Sequence, residues 1–269
     1  MKAIDLSLER IEAALAVLQE TRRDTASPLA IALFDEVSST NRLLWERVQG
    51  GSPSGTVCIA TRQTAGRGQW SRQWDSPTGG LYLSAYWTVD VPTRDSGQLT
   101  LASAWGIATM LRERSLPVLL KWPNDLLLEG RKLGGILTET RLQGDRVTQA
   151  VVGVGINWRN PVPDLGINLQ QFWQDHPELT GFSLEFLAAL VIVGIDRGLS
   201  RLRTQGIDPI LPEYQRLLLH LNRAIDIDGL AGTIIGVAPN GYLRVRTSLG
   251  TQLQLPPGRV RIPYEEGMR

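Results

Sequence analysis

Two short stretches concentrate the groups able to do chemistry: Gly66-Arg67-Gly68-Gln69-Trp70-Ser71-Arg72-Gln73-Trp74 and Lys121-Trp122-Pro123-Asn124-Asp125. Each mixes cations, glycine or proline, and tryptophan. Guanidinium and ammonium groups attract phosphate or carboxylate, glycine admits close backbone approach, and an indole covers a flat or apolar ring. Together they point to an anionic ligand with a flat or greasy part. In the second stretch a cation and a carboxylate stand four residues apart across a proline turn between two apolar runs, which by itself reads as a local ion pair closing the turn. The following Arg131-Lys132-Leu133-Gly134-Gly135-Ile136-Leu137 adds cations at the base of the same hairpin, and a glycine pair that lets something approach the strand. Val151-Val152-Gly153-Val154-Gly155-Ile156-Asn157 places two glycines on one strand face and ends on an amide that both donates and accepts hydrogen bonds.

Several chemistries are excluded. No G-x-x-x-x-G-K-[S/T] loop occurs, and Gly153-Val154-Gly155 lacks the third glycine of a dinucleotide fingerprint. His176 and His220 are far apart, with no Cys or His nearby at zinc-binding spacing, so no metal site is expected. Cys58, the single cysteine, sits in the apolar run Thr56-Val57-Cys58-Ile59-Ala60 and reads as a buried thiol. That leaves no disulfide framework, and with no secretory h-region and no run of apolar residues long enough to span a bilayer, a cytoplasmic protein is expected. With 28 Lys+Arg against 27 Asp+Glu the net charge is +1, so attraction to nucleic acid or membrane has no global basis and any electrostatic function is local.

These loops must be held by a scaffold, and 269 residues suffice for one large domain and a small one. Leu8, Ile11, Leu15 and Leu18 share a helical face that fades at Thr21-Arg22-Arg23-Asp24, before the loop signal Ser27-Pro28. Residues 31–34 read as a strand, and Ser38-Ser39-Thr40-Asn41 offers N-caps to a helix carrying Leu43, Leu44 and Val48. Residues 57–61 form a strand entering the glycine-rich loop, and 81–89 a further strand after the Pro77-Thr78-Gly79-Gly80 turn. Leu101, Ala104, Trp105, Ala108 and Leu111 mark a buried helix. Residues 118–120, 126–128, 133–140 and 147–156 read as hairpin-linked antiparallel strands. Helical spacing returns at 184–202 and 213–221, broken by 206–212. From 224 to 262 we expect about five short strands, with Asn240-Gly241 as a type I′ hairpin and Ser248-Leu249-Gly250 as another turn. The expected class is α+β with a mixed or antiparallel sheet, divided into a helical extension (1–28), a main domain (29–221) and a small β-barrel (222–269).

The order and spacing of these motifs resemble the biotin protein ligases. The resemblance runs from Phe34 to Asn157 through Ser39-Thr40-Asn41, Gln63, Gly66-Arg67-Gly68, Trp74-Asp75-Ser76-Pro77, Lys121 to Asp125, Lys132 to Leu137 and Gly153 to Asn157. It implies a biotin/lipoate ligase type of catalytic domain with a C-terminal SH3-like barrel. It also implies a two-step reaction: the biotin carboxylate attacks the α-phosphate of ATP to give biotinyl-5′-AMP and pyrophosphate, and a lysine of the biotin carboxyl carrier protein of acetyl-CoA carboxylase then displaces AMP. By that resemblance Ser39, Thr40, Asn41, Gln63, Gly66, Arg67, Gly68, Gln69, Lys132, Gly134 and Gly135 belong to the biotin site. Arg67, Arg72, Trp74, Lys121, Asn124, Lys132 and Asn157 belong to the ATP and adenylate site, Asn157 at the adenine. Trp158 and Trp173 rank behind it as covers for the base.

Charge builds on phosphate oxygens during adenylation, and fixed cations aimed at it lower the barrier. Arg67, Lys121 and Lys132 are the expected cations, and Asp125 the carboxylate expected to orient the acceptor amine or take its proton. Magnesium is expected to arrive with ATP, held by phosphates and water. The glycine-rich loop is expected to close over its ligand and shield the mixed anhydride. One departure stands out: the family loop reads Gly-Arg-Gly-Arg-x-Gly-Arg, whereas here Gln69 and Ser71 replace the second arginine and the later glycine. Fewer than 30 residues precede the catalytic stretch and they hold one helix, so no DNA-binding repressor module, and no nucleic-acid partner, is expected. A lipoate-protein ligase and a non-catalytic sensor or adaptor remain alternatives, and the chain is expected as a monomer or homodimer.

Overall fold

The computed structural model describes residues 6–20 and 28–264. The segment where the first helix is expected to fade, Thr21 to Asp24, lies outside them. The main sheet has seven strands, β1 (Ala30–Val37), β2 (Thr56–Gln63), β3 (Leu81–Pro92), β4 (Leu119–Lys121), β5 (Asp125–Leu128), β6 (Arg131–Gln143) and β7 (Arg146–Ile156). Their order is β1-β2-β3-β7-β6-β5-β4. β1 and β2 run parallel and every other neighbouring pair is antiparallel, so the sheet is mixed.

Alternation along the strands decides what each face does. Successive side chains point to opposite faces, so Leu81, Leu83, Ala85 and Trp87 of β3 and Val152, Val154 and Ile156 of β7 enter one large core. On that side lie α3 (Gly97–Arg112), α5 (Leu184–Gln205) and α1 (Leu8–Glu20). α1 contributes Ile11, Leu15 and Leu18, so the expected N-terminal extension packs into the same core. The other face is covered only in part, by α2 (Thr40–Gln49), whose Leu44 and Val48 pack on Cys58, Tyr86 and Val151. Cys58 is fully buried, and burial raises its thiol to about 11, which leaves it inert at neutral pH. Past the end of α2 the same face carries Ser84, Gly153 and Gly155 instead of large apolar groups, and there the sheet opens into a cavity.

α3 and α5 approach closely because glycines meet at their crossing. A Cβ at Gly106 would stand 2.0 Å from the Gly194 carbonyl oxygen, and one at Gly198 would stand 2.1 Å from that of Ala102. Gly198→Ala is therefore expected to cost about 1–3 kcal/mol through forced helix separation. Urea unfolding checks this, and an unshifted midpoint would contradict the packing.

Beyond α6 (Leu211–Leu217), the chain forms a second, antiparallel sheet of β8 (Ala224–Ile227), β9 (Leu230–Val237), β10 (Leu243–Thr247) and β11 (Gln252–Leu255), ordered β11-β10-β9-β8. Four strands appear among the described residues where about five were expected, and their antiparallel sheet is consistent with the expected SH3-like module. The Asn240-Gly241 turn is also not type I′, which needs positive φ at both central residues. Only Gly241 has it (φ 90°), and its amide donates to the Ala238 carbonyl, as in a longer loop ending in a left-handed glycine. Pro239 explains the change, since its ring holds φ negative in the loop. A short helix not anticipated, α4 (Leu169–Asp175), follows β7, with Asn168 capping it by accepting from the Gln171 amide. The last expected helix ends at Leu217 rather than 221. No helix among the described residues is long and apolar enough to cross a membrane.

Candidate active site

The uncovered end of the sheet face, the glycine-rich loop, the β4-β5 turn and the C-terminal segment enclose a cavity of about 950 Å³. It has the size of a site for a nucleotide-sized ligand. Six basic side chains line it among the described residues, Arg67, Arg72, Lys121, Lys132, Arg259 and Arg261, against one carboxylate, Asp125. That excess of positive charge fits a polyanion.

The cationic wall is built by hairpin register. Lys121 and Asp125 face each other as a cross-strand pair on β4 and β5, and the next hairpin brings Lys132 of β6 alongside. Asn124 holds the tip in place, donating from its amide to the Ile136 carbonyl at 2.7 Å. Asp125 is buried, with Lys132 Nζ 2.7 Å from Oδ1 and Lys121 Nζ 3.2 Å from Oδ2. The hydroxyl of Tyr264 donates to Oδ2 at 2.6 Å. Burial alone would push the Asp125 carboxyl up, but Lys132 and Lys121, with hydrogen bonds from Lys132 and Tyr264, hold it below its ordinary value. Burial lowers Lys121 from the usual lysine range, opposed by Asp125. Asp125 is thus an ionised, fully engaged counterion. Expected to orient the acceptor amine or take its proton, Asp125 has both oxygens engaged by Lys121, Lys132 and Tyr264 in this structure.

A polar lattice forms the opposite floor. Gln63 Oε1 accepts from the Thr40 amide at 2.8 Å and from the Thr40 hydroxyl at 3.1 Å, while Gln63 Nε2 donates to Ser76 Oγ at 2.8 Å. Ser84 Oγ donates to Asn41 Oδ1 at 2.5 Å, and Asn41 Nδ2 donates to Glu139 Oε2 at 2.9 Å. The other Glu139 oxygen holds Arg67 at 2.9 Å. Ser39 stands at the N-cap of α2 and lines the cavity, yet makes no capping bond to the helix. Ser84 and Glu139 were not singled out from the sequence, where they read as ordinary strand positions, and Ser76 entered only as part of the Trp74-Asp75-Ser76-Pro77 motif.

The two glycines of β7 make room for this site's own side chains. A Cβ at Gly153 would lie 2.1 Å from Asn41 Oδ1, and one at Gly155 would lie 2.4 Å from Trp74 Nε1. Among the described residues the buried Trp74 N–H has no protein acceptor, and the Lys132 ammonium stands 5.3 Å from its ring centroid. Gly135 lines the cavity beside Trp74, Asp125 and Lys132.

Of the expected site residues, Ser39, Thr40, Asn41, Gln63, Arg67, Gly68, Gln69, Arg72, Trp74, Lys121, Asn124, Asp125, Lys132 and Gly135 come together around this one cavity. Gly66, Gly134 and Asn157 do not line it. Gly66 lies against the Trp74 carbonyl, 2.3 Å from where its Cβ would be, and Gly134 is pressed against Gly155 in the sheet. Asn157 spends its amide on Lys132 and Ile167 carbonyls and accepts from Asn160, so its work is to hold the end of β7. Trp158 and Trp173 also stay outside the lining, the latter packed edge-on against Phe182 at 5.1 Å. The C-terminal segment, in which no individual site residue was singled out, supplies Arg259, Arg261 and Tyr264.

The loop tip carries strain. Trp70 and Ser71 both adopt left-handed backbone, φ 58° and 57°. Such a conformation costs a non-glycine residue about 1–2 kcal/mol. The indole of Trp70 rests on Gly258, whose Cβ would lie 2.7 Å from it. Ser71→Gly is expected to stabilise the protein by about 1 kcal/mol and Ser71→Val to destabilise it by about 1–3 kcal/mol. Denaturant titration of both variants checks the sign at this position.

Comparison with known proteins agrees with this geometry. The profile described as the biotin/lipoate A/B protein ligase family matches residues 33–157. The bifunctional ligase/repressor BirA of Bacillus subtilis is 30% identical over 224 residues, 80% of this chain and 69% of that protein. Its Escherichia coli counterpart is 35% identical over 203 residues, 74% of this chain and 62% of that one. Among solved structures, a biotin protein ligase from Aquifex aeolicus in complex with biotin and ATP superposes with a TM-score of 0.71 at 24% identity, covering 88% of this chain and 99% of that one. At that identity the superposition speaks for the fold.

Proposed function

Because the chain belongs to the biotin/lipoate A/B protein ligase family, on the side of the biotin protein ligases, we propose that it activates biotin with ATP and transfers it to a carrier-protein lysine. The observation that carries this reading is the convergence of Arg67, Lys121 and Lys132, from three separate parts of the sequence, on one cavity floored by Ser39, Thr40, Asn41 and Gln63. The floor offers hydroxyls and amides to the ureido group and ring of biotin, and Trp74 covers the apolar part. The cationic wall takes the carboxylate and the α-phosphate. Arg72, Arg259 and Arg261 extend positive charge toward the remaining phosphates.

In the first step a biotin carboxylate oxygen attacks the α-phosphorus, an O–P bond forms, and the bond to the leaving pyrophosphate breaks. Lys132 and Lys121, held close by Asp125, stabilise the negative charge that grows on the phosphate oxygens. In the second step the acceptor amine attacks the biotinyl carbonyl, AMP leaves, and the amine proton passes to solvent or to the departing phosphate. Asp125 serves by holding the lysines, since its oxygens are engaged and its carboxyl is depressed. No group of three His, Cys, Asp or Glu among the described residues could hold a metal ion, and Asp125 is committed to two lysines and a phenol. Magnesium would arrive with ATP, held by its phosphates and water.

The acceptor we propose is the biotin carboxyl carrier protein of acetyl-CoA carboxylase, in the cytoplasm. Residues 29–221 would be the catalytic unit and 222–269 a module that completes the cavity wall. Incubation with ATP, magnesium, biotin or lipoate, and a carrier domain, followed by mass spectrometry of the carrier, tests this directly. Addition of one biotinyl group with biotin alone is expected. A lipoyl adduct would make it a lipoate ligase, and absence of both adduct and pyrophosphate would make it a binding protein.

A further inference from the structure

We propose that Tyr264 is a positioning residue for adenylation, whose hydroxyl fixes Asp125 and thereby sets the spacing of Lys121 and Lys132 at the reacting phosphate. The proposal rests on the function argued above and adds to it a residue from the C-terminal segment, 139 positions away from Asp125 in sequence.

Two long, flexible lysines make a useful charge cluster only if something holds them. Asp125 holds both, one on each oxygen, but a carboxylate gripped by two mobile ammonium groups can still rotate with them. Tyr264 supplies the third donor, 2.6 Å from Oδ2, on the oxygen that Lys121 also contacts at 3.2 Å. The phenol ring does a second job, standing 4.1 Å from Lys121 Nζ and 6.0 Å from Lys132 Nζ and covering both cations. A hydroxyl and a ring face from one residue thus pin an anion and two cations together. The donor is dependable: burial, with the nearby Asp125 charge, pushes the Tyr264 phenol far above its ordinary value, so it keeps its proton throughout the neutral range.

The tyrosine arrives from the segment that walls the cavity, and that segment also meets the glycine-rich loop where Trp70 rests on Gly258. The titratable and charged groups around the cluster include Lys121 from β4, Lys132 from β6, Arg72 from the loop, the buried phenol of Tyr214 from α6, and Arg261 near Tyr264 itself.

The test is Tyr264→Phe in the full chain, with Tyr264→Ala beside it. In single turnover, Tyr264→Phe is expected to form adenylate at least tenfold more slowly while KM for biotin moves less than twofold. Because the carboxylate loses a donor, its titration rises, and the acid limb of the rate profile moves to higher pH. The carboxyl of Asp125, followed by carbon-13 NMR in the unliganded protein, is expected to titrate higher in Tyr264→Phe than in wild type. If Tyr264 only fills the wall, Tyr264→Phe keeps the wild-type rate and profile and Tyr264→Ala alone is impaired, which overturns the proposal. An unshifted carboxyl overturns it whatever the activity. Wild-type protein that makes no adenylate counts against the function itself, and is told apart because the NMR titration still reports on the Tyr264 contact.

Discussion

Lys132→Met is expected to slow adenylate formation by about 10²–10³-fold while the protein stays folded, the usual cost of removing one fixed donor from a developing oxyanion. The side chain stands at the cavity wall with Nζ 2.7 Å from Asp125 and is partly exposed, so methionine keeps the stem and loses only the charge. Charge on the phosphate oxygens grows in the transition state, so the loss belongs in kcat more than in KM for biotin. Asp125 retains Lys121 and Tyr264 after the change, which protects the fold. Quenched single-turnover kinetics read this out. A rate within threefold of wild type would remove Lys132 from the reacting centre.

Asp125→Ala is expected to have the largest effect on stability, about 3–5 kcal/mol, because it leaves two ammonium groups facing each other with no anion. Lys121 is buried enough that burial already lowers it, and Asp125 is what opposes that. Without the carboxylate, Lys121 drops further and loses its proton more readily, so the alkaline limb of activity moves down. The pH dependence has a definite sign. The Asp125 carboxyl is depressed in the folded protein, so its stabilisation is complete above its ordinary value of 3.8 and is lost as pH falls through the lower folded value. The stability gap between wild type and Asp125→Asn should therefore be full at neutral pH and close in acid. Urea titrations at several pH values measure it, and a gap that widens in acid would contradict the ion-pair account.

The hairpin chemistry was legible in the sequence because it is local. Lys121, Asp125 and Lys132 lie within a dozen residues, and two short turns bring them together by strand register alone. The glycines of β7 were also readable as places of close approach, although the approaching groups are Asn41 and Trp74 of the same chain. What could not be read was contact across long sequence separation. Tyr264 is a single aromatic in a polar tail, and nothing near it marks its partnership with Asp125. Glu139 and Ser84 are hidden by alternation, since a polar residue in a strand ordinarily faces solvent, and here that face is the site. Asn157 was expected at the adenine because its amide suits a ligand, whereas here it donates to the Lys132 carbonyl of β6 and the Ile167 carbonyl and accepts from Asn160, contacts that no local pattern announces. α4 escaped notice because seven residues with few apolar positions give no periodic pattern, although Asn168 was an available cap signal.

On the proposed reading, separate basic side chains share one cavity to stabilise the charge formed when a carboxylate is joined to AMP. The most direct measurement is the acid-quenched time course of biotinyl-5′-AMP with wild type, Arg67→Met, Lys121→Met and Lys132→Met, each at saturating biotin and ATP. Prompt formation is expected in wild type and a large loss of rate in each variant, with pyrophosphate appearing in step with the adenylate. Adenylate formation at wild-type rate in all three variants, or none from the wild-type protein, would contradict it.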